Sequence, residues 1–481
     1  MSVQLLVILI YFVLTIFIGV MSSRRARSSS GFNGAQLGLA SIVCASAGEW
    51  LGGTATTGVS EYGFIYGLSG AWYTIANGIG VMFLALCFAK LYRSLGSVTV
   101  PGLVEHWFGR RARTVSAILL VIVMLAVGLS QMIAAGKLGE SLLGLDYNLT
   151  VVIFALIFIV YTLAGGMNAV AATNKMHLFV MYGGIILALV LSISRLGGWN
   201  TFTASISGVE TDGKSFFNMF AIGPSKVSSW IIASLLGACT AQAGIQPVLA
   251  AKDVPTAKKA CIITAFVAAP FGLFTALLGM TARVMSENGT LLSSGGAVVT
   301  DAKLALPALM MHLPPLAGGL VLSSILAAIL STVSPIILSC GTMLTNDLYR
   351  RIDPNADDAR LLHVSRISTA AAGAVCCLAS MLLVGSARVL DLVYAAYSLR
   401  GALFVVILLG IYWRGASERG ACLSMITTGV VAVVWQGCKI VTGAYPFAPW
   451  FTETYAAILF ALVSTIVFSL IFPRGARREG N

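Results

Sequence analysis

Charge is what this chain has least of. Asp, Glu, Lys and Arg make up 10% of its 481 residues, against roughly 25% in soluble globular proteins. With 58% hydrophobic residues and a mean hydropathy of +0.92, an ordinary water-soluble fold is excluded. Histidine is scarcer still. The four (106, 177, 312 and 363) are too scattered to form a ligand cluster. Nine cysteines lie mostly inside apolar stretches, Cys376 beside Cys377, with no CxxC or Cys/His spacing, so neither zinc nor disulfides are expected. No metal motif, nucleophile–base arrangement or nucleotide loop occurs, so neither an enzyme nor an organic cofactor is indicated.

Hydrophobic runs of membrane-spanning length are present from end to end. They predict an all-α polytopic membrane unit of thirteen spans: 2–22, 36–60 (broken), 68–91, 114–143, 149–167, 175–195, 229–250, 258–285, 314–346, 365–385, 388–412, 418–440 and 454–472. The formal charge of +12 does not point to nucleic acid, because the cations sit in short loops between spans. Alternate loops hold Arg24, Arg25 and Arg27; Lys90, Arg93, Arg110, Arg111 and Arg113; Lys252, Lys258 and Lys259; Arg350, Arg351, Arg360 and Arg366; Arg414 and Arg419; and Arg474, Arg477 and Arg478. The positive-inside rule makes these loops cytoplasmic, with the N-terminus outside and the C-terminus inside. Residues 99–113 read as a short cytoplasmic amphipathic helix with Pro101 in its first turn.

Residues 41–70, SIVCASAGEWLGGTATTGVSEYGFIYGLSG, cannot form one unbroken helix. Gly48, Gly52, Gly53 and Gly58 each cost about 1 kcal/mol relative to Ala in a helix interior. Glu49 adds a carboxylate costing about 2.5–3.5 kcal/mol near a bilayer centre. Such a stretch persists only where irregular backbone is buried in protein or lines a watered cavity. Residues 229–250 are interrupted likewise, by Gly237, Gly244 and Pro247, five spans later. Two five-helix halves follow, 36–195 and 229–412, inserted with opposite orientation. They are preceded by an extra span and loop in 1–35 and followed by two spans in 418–472. Paired interruptions are the mark of an inverted-repeat transporter with a midplane site.

In the ninth span Ala328, Ser331 and Thr332 fall at i, i+3 and i+4 and share one helix face. Two hydroxyls beside free carbonyls suit a small hard cation, with carbonyls near the first break, from Ile42 and Ala45, completing the shell. From spacing alone, hydroxyls bonding their own i−4 carbonyls or joining helices is the leading explanation.

The motifs VPGLVEHWFGRR (100–111), YTLAGGMNAVAATNKMH (161–177), AGIQPVLAAKD (243–253), ILAAILSTVSPIILSCGTMLTNDLYRR (325–351) and IYWRGASERGA (411–421) resemble, in order and over nearly the whole chain, the sodium:solute symporter family. The resemblance implies a LeuT-type 5+5 inverted repeat and alternating access driven by inward sodium. It also implies a sodium site on the carbonyls of Ile42, Ala45 and Ala328 and the hydroxyls of Ser331 and Thr332. That reverses the order of the two explanations. Where the family often carries an acid after its GG motif, this chain has Asn174, which favours coupling to a single sodium.

By position in the family pattern, Glu49 and Trp50 lie just past the first break, and Cys239, Gln242 and Ala243 occupy the matching part of span seven. Trp50 is read first as packing, and Glu49 first as functional. Arg400, mid-span, cannot snorkel and needs Glu49, helix-end carbonyls or a substrate carboxylate. If Glu49 and Arg400 share a cavity, a zwitterionic or carboxylate-bearing solute is attractive. Gln131 is a weaker cavity candidate, and Tyr397 a gate or pocket residue for which packing comes first. The reading is a sodium-coupled symporter of a small organic solute (amino-acid-like, carboxylate, sugar or vitamin) in the cytoplasmic membrane, its partners that solute and the lipid, its oligomeric state open to a monomer. The alternatives are a proton-coupled transporter using Glu49 and a transporter-like sensor. Uptake that tracks an imposed sodium gradient and ignores a pH gradient is expected, and the reverse result would select the proton reading.

Overall fold

In a computed structural model, residues 3–23, 37–293, 295–385 and 389–474 are described. The arginines at 24, 25, 27, 477 and 478, and the expected span starts at 2, 36 and 388, lie outside them. The architecture is helical throughout apart from a two-stranded hairpin, Glu210–Thr211 with Lys214–Ser215. Among the described residues nine helices are long and apolar enough to cross a membrane, ten when one bent pair is joined. Length alone therefore recovers fewer crossings than the expected thirteen, because several elements are short or run together. Tyr147–Arg195 covers two expected spans that abut at Gly166, whose φ of 55° and ψ of −160° kink the chain between two helices. Thr54–Ser94 runs from the end of the first broken span through the third, with a tight turn at Gly67 (φ 68°). One helix, Ala302–Met311, falls in a stretch expected to be mostly loop.

The first expected break is present. The helix Leu39–Trp50 stops, the chain bends at Leu51 and Gly52, and a π-turn at Thr54–Gly58 leads into Val59–Tyr66. The freed backbone is satisfied locally: Thr57 Oγ1 donates to the Gly53 carbonyl at 2.7 Å, and Thr56 Oγ1 to the same oxygen at 3.1 Å. This is how hydroxyl side chains make a break tolerable away from water. The second break follows Pro224–Gly237, where a tight turn at Ala238–Thr240 precedes Gln242–Leu249 and the axis bends by 43°.

The two broken spans run in opposite directions. Leu37, just before the first, donates its N–H to the Ala250 carbonyl at 2.8 Å and accepts from Lys252 N, just after the second. The helix Pro315–Met343 is the most enclosed, with 94% of its apolar window buried. It packs against Tyr147–Arg195, Val3–Ser23 and Arg110–Leu143. The amphipathic helix is shorter than expected, Val100–Phe108. Thr99 caps it by accepting from Gly102 N, and Gly109 (φ 102°) separates it from the next span, which begins at Arg110.

Close backbone approach explains Gly80, where a Cβ would overlap the Ser234 carbonyl, whereas Gly183 has open space around it. Gly80→Ala should lower the detergent melting temperature, with overpacking costing about 1–3 kcal/mol. Gly183→Ala should leave it unchanged or raise it slightly, since Ala is favoured in a helix by about 0.5–1 kcal/mol.

Candidate ion and solute site

Where Leu39–Trp50 ends, its last carbonyls lose their helical partners. Leu51 N still bonds to Ala47 O, and the next carbonyl, Gly48 O, accepts instead from Thr332 Oγ1 of the enclosed helix. Ser331 Oγ donates to Ala328 O at 2.8 Å. Asn174 Nδ2 donates to Ser331 O at 3.2 Å. A Cβ on Gly48 would stand 2.6 Å from Ser331 O, and one on Gly52 would run into Thr332 and within 2.8 Å of Gln131 Oε1. These glycines are required for three helices to meet.

The structure thus brings Ala328, Ser331, Thr332 and Asn174 against the first break. It differs from expectation in which carbonyl is reached. Thr332 meets Gly48, and Ile42 lies six residues earlier, about 9 Å along the axis at 1.5 Å per residue. Ala45, one turn before Gly48, shares its face. The signal for Gly48 was available in the sequence, since carbonyls free themselves in the last turn of a helix and not its first.

At the residue after Gly48, Arg400 Nη2 donates to Glu49 Oε1 at 2.9 Å, and both side chains are 0% exposed. Arg400 Nη2 also lies 3.6 Å from Met124 Sδ. Glu49 Oε2, Arg400 Nε and Nη1, and Trp50 Nε1 are buried without a hydrogen-bond partner. The second broken span closes over this pair. A Cβ on Gly237 would be 3.3 Å from Arg400 Cβ, and one on Gly244 would be 3.2 Å from the Trp50 ring. Thr240 Oγ1 donates to Arg400 O at 2.7 Å.

Aromatic rings lead away from the ion pair. Tyr397 covers the guanidinium at 4.7 Å and meets Trp50 edge-on at 6.3 Å. Tyr73 and Tyr394 continue the column, and Trp230 stacks on Tyr394 at 4.5 Å. At its far end Asp391 accepts from Lys226 at 2.9 Å and from Tyr62 at 2.7 Å. On the other side Asp347 takes Arg113 at 2.7 Å and Thr99 at 2.9 Å, while Arg113 also holds Glu105 at 2.6 Å. Both polar clusters escaped the sequence reading, because their members are far apart in the chain.

The remaining candidates are placed as follows. Gln131 Nε2 engages Thr54 and Ser130 at the first break. Gln242 accepts from Val100 N at 2.7 Å, tying the second broken span to the amphipathic helix and not to the ion pair. Cys239 is buried in the second tight turn, and Ala243 in the helix after it.

Two opposed, interrupted helices crossing an enclosed hydroxyl-bearing helix define a secondary transporter of LeuT type. The model of the sodium:solute symporter family matches residues 32–428, and the chain belongs to that family. Sodium-coupled symport of a small solute is the activity membership carries. The chain is 26% identical to a sodium/glucose cotransporter of Vibrio parahaemolyticus over 77% of this chain and 72% of the relative. It is 27% identical to an osmoregulated proline transporter of Bacillus subtilis over 99% and 96%. Among solved structures, a substrate-bound, outward-open Na+-coupled sialic acid symporter superimposes with a TM-score of 0.78 at 17% identity, covering 98% of each chain. Mhp1, a nucleobase-cation-symport-1 transporter, does so at 0.58 and 14% identity over 92% of this chain and 94% of its own.

Removing one partner of a buried ion pair costs about 3–5 kcal/mol, because the other charge stays buried, whereas neutralising both is far cheaper. Arg400→Gln alone should therefore lower the melting temperature sharply, and Glu49→Gln with Arg400→Gln should restore most of it in the same thermal assay.

Proposed function

We propose that one sodium ion binds between the first broken helix and the enclosed helix, on the carbonyls of Ala45, Gly48 and Ala328 and the hydroxyls of Ser331 and Thr332. The observation that carries this is the Thr332–Gly48 contact, which joins a freed helix-end carbonyl to a hydroxyl of another helix. Ser331 is the neighbour of Thr332, and Ala328, whose carbonyl Ser331 bonds, lies one turn earlier on the same face. Hard oxygens in that number suit a small alkali ion. Asn174 has an amide where an acid would supply charge, and its Nδ2 already donates to Ser331 O. That supports coupling to a single sodium.

The solute site adjoins it, at Glu49, Arg400, Trp50 and Tyr397, with Gln131 and Ala243 on its margins. The two halves, 36–195 and 229–412, form an inverted repeat. The opposed course of the broken spans supports this, through the bridge between Leu37 and Ala251. Thirteen crossings, with the N-terminus outside and the C-terminus in the cytoplasm, put the arginine-rich loops on the cytoplasmic side of the cytoplasmic membrane. Outside sodium orders the helix end, solute completes the midplane site, and rocking of the halves releases both inward. A potential of about 100 mV supplies about 2.3 kcal/mol for each charge moved.

Purified protein should melt at a higher temperature in NaCl than in choline chloride, and the Ser331→Ala, Thr332→Ala double variant should lose that difference while keeping its helical circular dichroism. An undiminished sodium effect in the variant would refute the ion assignment.

A further inference from the structure

We infer that the transported solute is a small zwitterion bearing a carboxylate and a primary or secondary ammonium, held by the atoms that the Glu49–Arg400 ion pair leaves free. This rests on the solute site proposed above and narrows its chemistry.

The pair is joined by a single contact, Nη2 to Oε1 at 2.9 Å, although both side chains are wholly enclosed. Arg–carboxylate pairs are frequently bidentate, with two parallel N–H···O bonds. Here the Nε and Nη1 donors, and the Oε2 acceptor, are buried and unpartnered. Leaving such groups unmade inside a protein is costly, more so for charged ones. Helices are packed closely around the pair: a Cβ on Gly237 or Gly244 would come within 3.2 Å of its nearest neighbour. The arrangement is therefore held in place by its surroundings.

The free atoms specify a ligand. The unpartnered Nε and Nη1 are each a charged N–H donor for a carboxylate oxygen. Oε2 accepts N–H from an ammonium, and the Trp50 indole N–H is a further donor. The ion pair carries no net charge and neither does a zwitterion, so binding buries no uncompensated charge. A carboxylate without an amine would leave one excess negative charge in the site, and an amine alone one excess positive charge. A hexose offers only neutral hydroxyls, and hydrogen bonds between an ionised group and a neutral one lack the second charge that strengthens the bond. The Tyr397 ring lies over the guanidinium, and the Trp50 ring meets Tyr397 edge-on. These arguments separate the chemistry of a proline-like solute from that of a glucose-like one, which family membership alone does not.

The test is a melting-temperature titration of the purified full chain in NaCl and in choline chloride. The probes are the protein amino acids, the amide and the N-acetyl derivative of whichever amino acid shifts most, and D-glucose. At least one amino acid should stabilise the protein in sodium, and its amide and N-acetyl derivative should each bind about a hundredfold or more weaker, as sites built around buried polar groups discriminate. The Glu49→Gln, Arg400→Gln double variant should keep the sodium shift and lose the amino-acid shift. A sodium shift with no response to any amino acid, a stronger response to D-glucose or to an N-acetyl acid, or an unchanged amino-acid response in the double variant overturns the inference and leaves the sodium site standing. No sodium shift in the wild-type chain overturns both. The ligand series on the wild-type chain decides the matter even if the double variant does not fold.

Discussion

Hydrocarbon cannot hydrogen-bond, so every peptide group within a bilayer must find its partner in the protein. The architecture of this chain follows from where that requirement is met by something other than a helix. At the first break the Gly48 carbonyl is taken by Thr332 of another helix, and the Gly53 carbonyl by Thr56 and Thr57 of its own segment. The remaining helices serve to keep these exchanges dry: the enclosed helix Pro315–Met343 supplies the hydroxyls, and the flanking helices shield it from lipid.

In the proposed sites the same constraint puts the ion and the solute in register. Gly48 and Glu49 are adjacent residues of one terminal turn, so an ion on the carbonyl of the first fixes the backbone that carries the carboxylate of the second. The second broken span contributes from the opposite side, its Gly237 and Gly244 lying against Arg400, Glu49 and Trp50. Coupling between two ligands needs a shared element that both order, and in the proposed sites that element is a single turn of helix.

Much of this was legible beforehand. Glycines around Glu49, and the Gly237–Pro247 stretch five spans later, marked both breaks, because glycine and proline act locally on the backbone. The shared face of Ala328, Ser331 and Thr332 followed from helical periodicity. What periodicity could not supply was the meeting of distant segments. Nothing local pairs Glu49 with Arg400, 351 residues on, or sends Gln242 to the Val100 N–H. Nor does periodicity say which carbonyl Thr332 meets, Gly48 O at the helix end. The number of crossings is blurred where two helices abut at the Gly166 kink.

The bridge at Leu37 has a mechanical meaning. Two backbone bonds stitch the entry of one interrupted rod to the exit of the other, so on that face of the protein neither can slide without drawing its counterpart along. The pair behaves as one lever with two discontinuities, and the irregular middles, not the fastened tips, are left to absorb the bending.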